Sequence, residues 1–484
     1  MRFDSATPIR YILNGEEREI SGVKPTTTVL NHLRQTERLT GTKEGCAEGD
    51  CGACTVLMLE PDGQNGLRRR AVNACIQFVP SLHGRAIETV EHLGRDGPHA
   101  IQTAMVETHA SQCGFCTPGF VMQLYAGWLN GAISDRQKVK DAISGNLCRC
   151  TGYGPIVEAG LRLAATPLPD TAKADAAVAQ HLQALRGEGV FRYAGAGGLW
   201  LSPGDVDDLA DAYAAHPEAV MVAGATDVGL WVTKQHRDLP VMIDVSRVAD
   251  LRMIEEAGGS LFIGAAVTHR DAQKKLAALH PALGELVRRF AGAQIRNAGT
   301  VGGNIANGSP IGDWPPAFIA LGARLHLRQG DEARNLALED FFLAYGRQDR
   351  APGEFVTAVE VPGLFAHQRF FCHKISKRFD SDISAVLAAL RLTFEGDTII
   401  DARLAFGGMA ATPKRALGAE AALVGRAFDA EAIALAAAAL AEDFQPLDDM
   451  RASSAYRLTV ARNLLTRFRL EHEGGTATRV LDVA

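Results

Sequence analysis

The sequence predicts a multidomain α+β protein, and three observations lead to this fold class. Eight of the nine cysteines lie before residue 151, a segment rich in proline and alanine follows, and the rest combines strand–turn–helix patterns with glycine-rich turns. A chain of 484 residues is long enough for about two to four domains. We expect domains at 1–92, 93–166, 191–366 and 367–484, with a linker at 167–190.

The composition limits the possible partners and location. The net charge is −6, with 47% hydrophobic and 22% charged residues, so nothing favours a nucleic acid or an anionic membrane as partner. The apolar run AIALAAAALA at 432–441 is too short to cross a bilayer and predicts a buried helix. Because the first residues lack the apolar core of a signal peptide, we expect a cytoplasmic protein.

The first four cysteines have the spacing of a plant-type 2Fe–2S site. They are Cys46, Cys51, Cys54 and Cys75. A cluster held by four thiolates is anionic, and glycines such as Gly45, Gly49 and Gly52 allow the loop to curl so that backbone N–H groups reach the sulfurs. The flanking order of hairpin, helix and hairpin predicts a plant-ferredoxin-like β-grasp domain. Zinc is the alternative, although structural zinc sites usually pair two C-x2-C knuckles.

A second set of four cysteines lies among helical patterns. The set comprises Cys113, Cys116, Cys148 and Cys150. Both pairs immediately precede predicted helices, whose positive dipole ends favour an anionic cluster, and we expect a helical-bundle domain. Zinc is a serious alternative on spacing alone, but a second 2Fe–2S cluster next to the first would provide a route for electrons.

Two glycine-rich stretches in the second half indicate a phosphate-bearing ligand. VMVAGATDVGLWV predicts a strand, a glycine turn and a helix, although as a single signal a plain strand–helix turn explains it equally well. The stretch FAGAQIRNAGTVGGNIANGSPIGDWPP, at 290–316, is richer in glycine and in small polar side chains. Asp313 can also be an ordinary helix N-cap. We expect Arg68, Arg69 and Arg70 to form a solvated strand face.

The cysteine segments resemble a known family. GTKEGCAEGDCGACTV, SQCGFCTPGF and GNLCRCTGY are similar to the iron–sulfur part of the molybdenum hydroxylases, the xanthine dehydrogenase and aldehyde oxidase family, at all eight cysteines. The resemblance implies that the first set holds the cluster nearer the flavin and the second set the cluster nearer the molybdenum. It also implies that Gln112 lies near the molybdopterin, where a simple polar cap is the alternative.

The glycine-rich stretches resemble the family's FAD-binding domain, of the vanillyl-alcohol oxidase type, and AFGGMAATPKRA opens a C-terminal α+β domain. Val220 and Asn307 depart from some relatives at these positions. The resemblance implies that Tyr345 lies in the NAD region. It implies FAD contacts for Met221, Val222, Ala223, Gly224, Ala225, Thr226, Asp227, Val228, Phe290, Ala291, Thr300, Asn304, Asn307, Asp313, Val356 and Lys374.

The implied activity is electron transfer for an oxidation that takes place on another chain. Because no segment matches a molybdopterin site, we expect a larger molybdopterin-binding partner and a heterotetramer of two heterodimers. The fused domain order favours the xanthine dehydrogenase reaction, in which xanthine, NAD+ and water give urate and NADH. The expected electron route is second cluster, first cluster, FAD, NAD+. Alternatives are another hydroxylase, for an aldehyde or an N-heterocycle, and a free-standing iron–sulfur flavoprotein reductase.

Overall fold

The computed structural model describes residues 7–479, which pack into two compact units. The first unit contains the described residues up to Asp250 together with Ala291–Gly299. The second contains Leu251–Phe290 and the described residues from Thr300 onward. Both units combine sheets and helices, which confirms the multidomain α+β class. The expected segment boundaries stay a prediction.

Two sheets form the framework of the first unit. The first hairpin turns at Asn14 and Gly15, with φ values of 52° and 89°, as an Asn-Gly turn favours. The spatial order of the five-stranded sheet is Glu16–Ile20, Ile9–Leu13, Ala86–Glu88, Thr55–Pro61 and Leu67–Asn73. The order of the four-stranded sheet is Phe191–Gly195, Gly198–Ser202, Val241–Asp244 and Val220–Val222.

The helices of the first unit surround these sheets. Val29–Asn31 continues as the π-helical turn His32–Thr36, and 3-10 turns occur at Val79–Leu82 and His92–Gly94. The α-helices are Ala100–Glu107, Thr117–Leu129, Arg136–Ile143, Gly154–Ala164, Ala172–Arg186, Val206–Ala215, Val228–Thr233 and Ala293–Ala298. Ala172–Arg186 lies inside the expected linker, and its Leu182 is buried in the core of the helical segment. The many alanines around this leucine weaken the apolar periodicity of the sequence.

The two sheets of the first unit share one hydrophobic core. Tyr11 and Phe78 from the amino-terminal sheet region are fully enclosed with Trp200 and Val222 from the four-stranded sheet region. The rings of Phe78 and Trp200 meet edge to face, 6.2 Å apart. Residues expected in the first iron–sulfur segment and in the flavin segment therefore fold together, across more than a hundred residues of sequence.

The second unit contains two larger sheets and a hairpin. The five-stranded antiparallel sheet has the order Ile254–Ala257, Ser260–Gly264, Phe355–Pro362, Arg324–Gln329 and Glu332–Ala337. The four-stranded sheet has the order Gln368–Ile375, Val386–Glu395, Thr398–Gly407 and Lys414–Arg415, and the hairpin pairs Phe342–Ala344 with Arg347–Gln348. The helices are His269–Leu279, Pro281–Arg289, Val301–Ala306, Trp314–Leu321, Leu417–Leu423, Ala430–Asp443 and Ser454–Glu473, with a 3-10 turn at Leu338–Phe341.

The alanine-rich run lies in the helix Ala430–Asp443, which is amphipathic. Ile433, Ala436 and Leu440 are buried on one face, whereas Leu435 is 41% exposed on the other. Among residues 7–479, no helix combines the length and the apolar character needed to cross a bilayer.

The prediction that Arg68, Arg69 and Arg70 form a solvated strand face is wrong for Arg69 and Arg70. Arg69 pairs with Asp175 at 2.5 Å. Arg70 is only 8% exposed, and its guanidinium donates to the carbonyl of Asn297 over 2.8 Å. The side-chain amide of Asn297 donates in return to the carbonyl of Ala71 over 2.9 Å. This strand therefore anchors the segment Ala291–Gly299 to the first unit.

A buried histidine makes the stability of the first unit sensitive to pH. The ring of His83 stacks on Phe191 with 3.7 Å between centroids, and its Nδ1 accepts the backbone N–H of Arg10. Burial, assisted by the charge of Arg247, lowers the pKa of His83 to about 4. Because the folded pKa lies below the unfolded value of about 6.5, the neutral ring stabilises the fold above that pH. The stabilisation is lost as the pH falls towards 4.

We expect the free energy of unfolding of the first unit to fall by about 2 kcal/mol between pH 6.5 and pH 4 through His83 alone. Urea unfolding at several pH values measures this change. The variant His83→Phe keeps the stacking but cannot bind a proton. The slope of its free energy of unfolding against pH should therefore be smaller, by the equivalent of one proton. The control Gln180→Leu changes an exposed residue that binds no proton and should leave the slope as it is. Equal slopes for the native chain and His83→Phe would contradict the assignment.

Candidate functional site

The loop of the first cysteine set curls around its sulfurs through left-handed backbone conformations. The φ values are 54° at Ala47, 80° at Gly49 and 67° at Gly52. The Sγ of Cys46 accepts the backbone N–H groups of Glu48 and Cys51, both at 3.4 Å. These are the donors that an anionic iron–sulfur cluster requires, so the loop fits such a group.

The four thiols of the first set lie within reach of one another. Hydrogen bonds from the thiols of Cys51 and Cys75 lower the pKa of Cys46. Bonds to Cys46 and Cys54, followed by burial, raise the pKa of Cys75. Cys54 and Cys75 are buried, and the other two are half-buried. The sequence therefore brings together all four predicted ligands of this set.

The second set lies at the ends of helices, as predicted. Cys116 is the N-cap of Thr117–Leu129, and the Sγ atoms of Cys113 and Cys150 are 3.6 Å apart. Burial, followed by the neighbouring Cys148, raises the pKa of Cys116 to about 12. The Sγ of Cys148 is 3.2 Å from the hydroxyl of Thr151. Cys113 and Cys150 are exposed, so this set opens to the surface of its unit.

The thiols of the first set form a continuous series of contacts, because Cys46 bonds to Cys51 and Cys75, and Cys75 also bonds to Cys54. Within residues 7–479, no three cysteine, histidine or acidic side chains are gathered as they would be around one metal ion.

A backbone hydrogen bond connects the two sets. The N–H of Leu147, next to Cys148, donates to the carbonyl of Cys51 over 3.0 Å. This bond joins the backbone of one cysteine loop directly to the backbone of the other.

The expected phosphate loop follows the strand Val220–Val222 and leads into the helix Val228–Thr233. A Cβ at Gly224 would lie 1.9 Å from the carbonyl oxygen of Ala298, so this close approach requires glycine. Gln77 lies two residues beyond Cys75, and its side chain donates to the carbonyl of Gly224 over 2.9 Å. The loop is thus attached to the first cysteine set.

The residues predicted for this loop differ in exposure. Val222 and Ala225 are buried, Asp227 is exposed, and the half-buried residues are Met221, Ala223, Gly224, Thr226 and Val228. Ala291 is half-buried with a φ of 46°. The half-buried backbone of the turn fits a phosphate-bearing group such as that of FAD.

The second unit contains a separate group of predicted residues. Thr300 caps the helix Val301–Ala306 by accepting the N–H of Gly303 at 2.9 Å, so its hydroxyl already has a structural bond. The Oδ1 of Asn304 is buried without a hydrogen-bond partner, which fits a polar ligand atom next to it. Asn307 is exposed at the end of the same helix.

Asp313 is not the helix cap that the sequence also allowed. It lies at the N-cap position, but its side chain makes no capping bond. Instead, Lys374 donates to its Oδ2 and Ser384 to its Oδ1, both at 2.6 Å. All three side chains are nearly inaccessible. The sequence does not identify Ser384, because its partner lies 71 residues away.

The three remaining predicted residues lie in different surroundings. Phe290 is half-buried, and its ring is 4.3 Å from that of His269. Val356 is buried in a central strand. Tyr345 is 75% exposed between the strands of the hairpin, and its place in the NAD region stays a prediction.

Four family models match consecutive parts of the chain. Residues 11–79 match a 2Fe-2S iron-sulfur cluster binding domain, and residues 89–161 match a 2Fe-2S binding domain. Residues 191–364 match the FAD binding domain in molybdopterin dehydrogenase, and residues 371–472 match the CO dehydrogenase flavoprotein C-terminal domain. The second match favours iron–sulfur over zinc for the second cysteine set.

Relatives and solved structures agree with these matches. The xanthine dehydrogenase of Drosophila subobscura is 34% identical over 462 residues, which cover 83% of this chain and 34% of the relative. Xanthine dehydrogenase/oxidase of Rattus norvegicus is 30% identical over 84% of this chain and 34% of its own length. The chain thus spans about a third of these relatives.

Among solved structures, a chain of the carbon monoxide dehydrogenase of Hydrogenophaga pseudoflava aligns with a TM-score of 0.53 and 28% identity, covering 55% of this chain and 94% of that one. A chain of quinoline 2-oxidoreductase from Pseudomonas putida 86 aligns with a TM-score of 0.51 and 26% identity, covering 56% and 94%. The chain belongs to the molybdenum hydroxylase family and carries its iron–sulfur and flavoprotein domains.

The variant Gly224→Val should purify with little FAD. Valine at this position would collide with the carbonyl of Ala298 and displace the loop that we expect to bind the pyrophosphate. Flavin absorbance and iron content per chain measure the effect, and the iron content should be kept. The control Gly94→Val places a side chain where the nearest atom is 3.7 Å from the new Cβ. A normal FAD content in Gly224→Val would show that the loop has another role.

Removing Lys374 should destabilise the second unit strongly. The variant Lys374→Met leaves the buried carboxylate of Asp313 without its cation, at a cost of about 3–5 kcal/mol, whereas Ser384→Ala should cost about 1–2 kcal/mol. The double variant Asp313→Asn, Lys374→Met removes both charges and should be less destabilised than Lys374→Met. Denaturant unfolding of the three variants tests this order, and a double variant that unfolds more easily than Lys374→Met would contradict it.

Proposed function

We propose that this chain is the iron–sulfur and flavin subunit of a xanthine dehydrogenase. It would pass electrons from a molybdopterin centre on a larger subunit to NAD+, so that xanthine, water and NAD+ give urate and NADH. The proposed ligands are the eight cysteines of the two sets, and the proposed FAD contacts are the residues of the two glycine-rich stretches with Asp313, Val356 and Lys374. Iron–sulfur clusters transfer single electrons, and flavin converts these into a hydride pair.

The order in which the sites are connected carries this proposal. The second cysteine set is hydrogen-bonded to the first through Leu147 and Cys51. The first set is connected to the expected pyrophosphate loop through Gln77, which follows Cys75 and donates to Gly224. This order corresponds to the expected route from the second cluster through the first to FAD.

Two further contacts support the connection between the first set and the flavin loop. The hydroxyl of Thr233 donates to the carbonyl of Ala47 over 2.7 Å, and Lys234 donates to the carbonyl of Cys46. Both residues lie at the end of the helix that follows the loop. A loop fixed at both ends gives the flavin a defined position relative to the first cluster.

The choice of xanthine rests on the relatives, and a second candidate has its own support. The relatives described above are named xanthine dehydrogenases, whereas the aligned structures are named for carbon monoxide and quinoline. The equivalent subunit of another hydroxylase, for an N-heterocycle or an aldehyde, is therefore the second proposal. A free-standing reductase is the third.

Exposed apolar side chains around the second cysteine set support a partner at this surface. Val106 is 73%, Phe115 46% and Leu147 40% exposed, although all three are large and apolar. An obligate interface typically buries more than about 2,000 Å², which would cover them. We propose that the larger molybdopterin-binding subunit docks here and that two heterodimers pair.

The chain should contain about four irons and four labile sulfides, from two 2Fe–2S clusters. In paramagnetic resonance spectra of the reduced chain, Cys46→Ser and Cys113→Ser should each remove a different signal. The control Cys372→Ser changes a cysteine outside both sets and should keep both signals. Stoichiometric zinc with about two irons would overturn the assignment of the second set.

The chain alone should transfer electrons from NADH to a dye but should not oxidise xanthine. When it is expressed together with the larger subunit, xanthine should give urate and NADH. Assays with hypoxanthine, quinoline and an aldehyde distinguish the first proposal from the second. Urate formation by the isolated chain would contradict the two-subunit proposal.

A further inference from the structure

Three buried polar side chains from distant parts of the first unit meet between the two cysteine loops. Thr55, Asn146 and Gln294 are 2%, 2% and 1% exposed. The Nε2 of Gln294 donates to the Oγ1 of Thr55 over 3.0 Å and to the Oδ1 of Asn146 over 2.8 Å. Gln294 thus bonds to both side chains at short distance, whereas Asn146 itself donates to Thr55 only over 3.5 Å.

Both partners of Gln294 hold the same carbonyl group. Thr55 donates its hydroxyl to the carbonyl of Gly52 over 2.6 Å. Asn146 donates its amide to this carbonyl over 3.1 Å. Gly52 lies between Cys51 and Cys54, and Asn146 lies two residues before Cys148. The cluster of Thr55, Asn146 and Gln294 therefore supports the hydrogen bond from Leu147 to Cys51.

The surroundings hold the amide of Gln294 in one orientation. Its two acceptors both require a donor at the Nε2 position, while its Oε1 is buried without a partner. A Cβ at Gly145 would lie 2.2 Å from this Oε1, so the glycine backbone packs directly against it. A carboxylate at position 294 would place an oxygen against the Oδ1 of Asn146, with no proton between them.

We propose that Gln294 is a positioning residue that fixes the two cysteine loops relative to each other. It lies outside both loops and contacts none of the eight cysteines by a hydrogen bond. Groups that orient metal ligands from outside tune the properties of a metal centre. This inference rests on the proposed function, since it assumes that both sets hold 2Fe–2S clusters.

Gln294→Leu removes both hydrogen bonds at nearly constant volume, and Gln294→Glu removes the donors while keeping the shape. The control Ser202→Ala removes a buried side chain that bonds to Trp200 and Asp244 in the four-stranded sheet of the same unit, away from the cysteine loops. Each chain is reduced, and the magnetic splitting between its two clusters is recorded by paramagnetic resonance. Amide hydrogen exchange of Leu147 is measured in the same preparations.

In the Gln294 variants with full iron content, we expect a changed splitting and exchange at Leu147 that is roughly tenfold faster. The control should match the native chain in both measurements. If Gln294 had a role in packing alone, the variants would have a lower thermal stability and an unchanged splitting. Native splitting together with native exchange at Leu147 in both variants would overturn the proposal.

If the variants purify with less iron, the two cluster signals decide the outcome. A residue that joins both loops should weaken both signals together when it is lost, which supports the proposal. Loss of one signal alone overturns it. A native chain that lacks both signals would instead contradict the proposed function, so the two failures can be distinguished.

Discussion

The arrangement of the first unit depends on backbone segments that approach one another too closely for any side chain at the point of contact. A Cβ on Gly119 would lie 2.2 Å from the carbonyl oxygen of Gly52, and one on Gly292 would lie 2.5 Å from the Cα of Gly145. These four glycines lie in the two cysteine loops, at the start of the helix after Cys116, and in the segment Ala291–Gly299. Only glycine, which has no Cβ, allows the backbone segments to come this close. The distance between the two cysteine loops therefore depends on glycine at these positions.

Such close packing leaves little room for water, so the polar groups in these contacts must bond to one another. The carbonyl of Gly52 illustrates this, since it accepts bonds from both Thr55 and Asn146. The second unit meets the same requirement with charges, where Lys374 and Ser384 occupy both oxygens of Asp313. A buried carboxylate that lost either partner would remain without a substitute from solvent.

The sequence predicts local features well because their causes are local. The Asn14-Gly15 turn, the helix that follows Cys116 and the close spacing of Cys46, Cys51 and Cys54 each depend on residues within a few positions of one another. Contacts such as that between Gln294 and Asn146, 148 residues apart, have no local pattern. The burial of Arg70 and the ion pair of Asp313 with Lys374 could not be predicted for the same reason, since each depends on a partner from another segment.

The two cysteine sets differ in how far their own chain encloses them. Cys54 and Cys75 are buried, whereas Cys113 and Cys150 are exposed, and solvent exposure together with hydrogen bonds to sulfur sets the potential of an iron–sulfur cluster. This chain therefore supplies more of the surroundings of the first set than of the second. Those of the second set would change when the proposed partner covers the neighbouring surface. Docking would then act mainly on the potential of a cluster held by the second set.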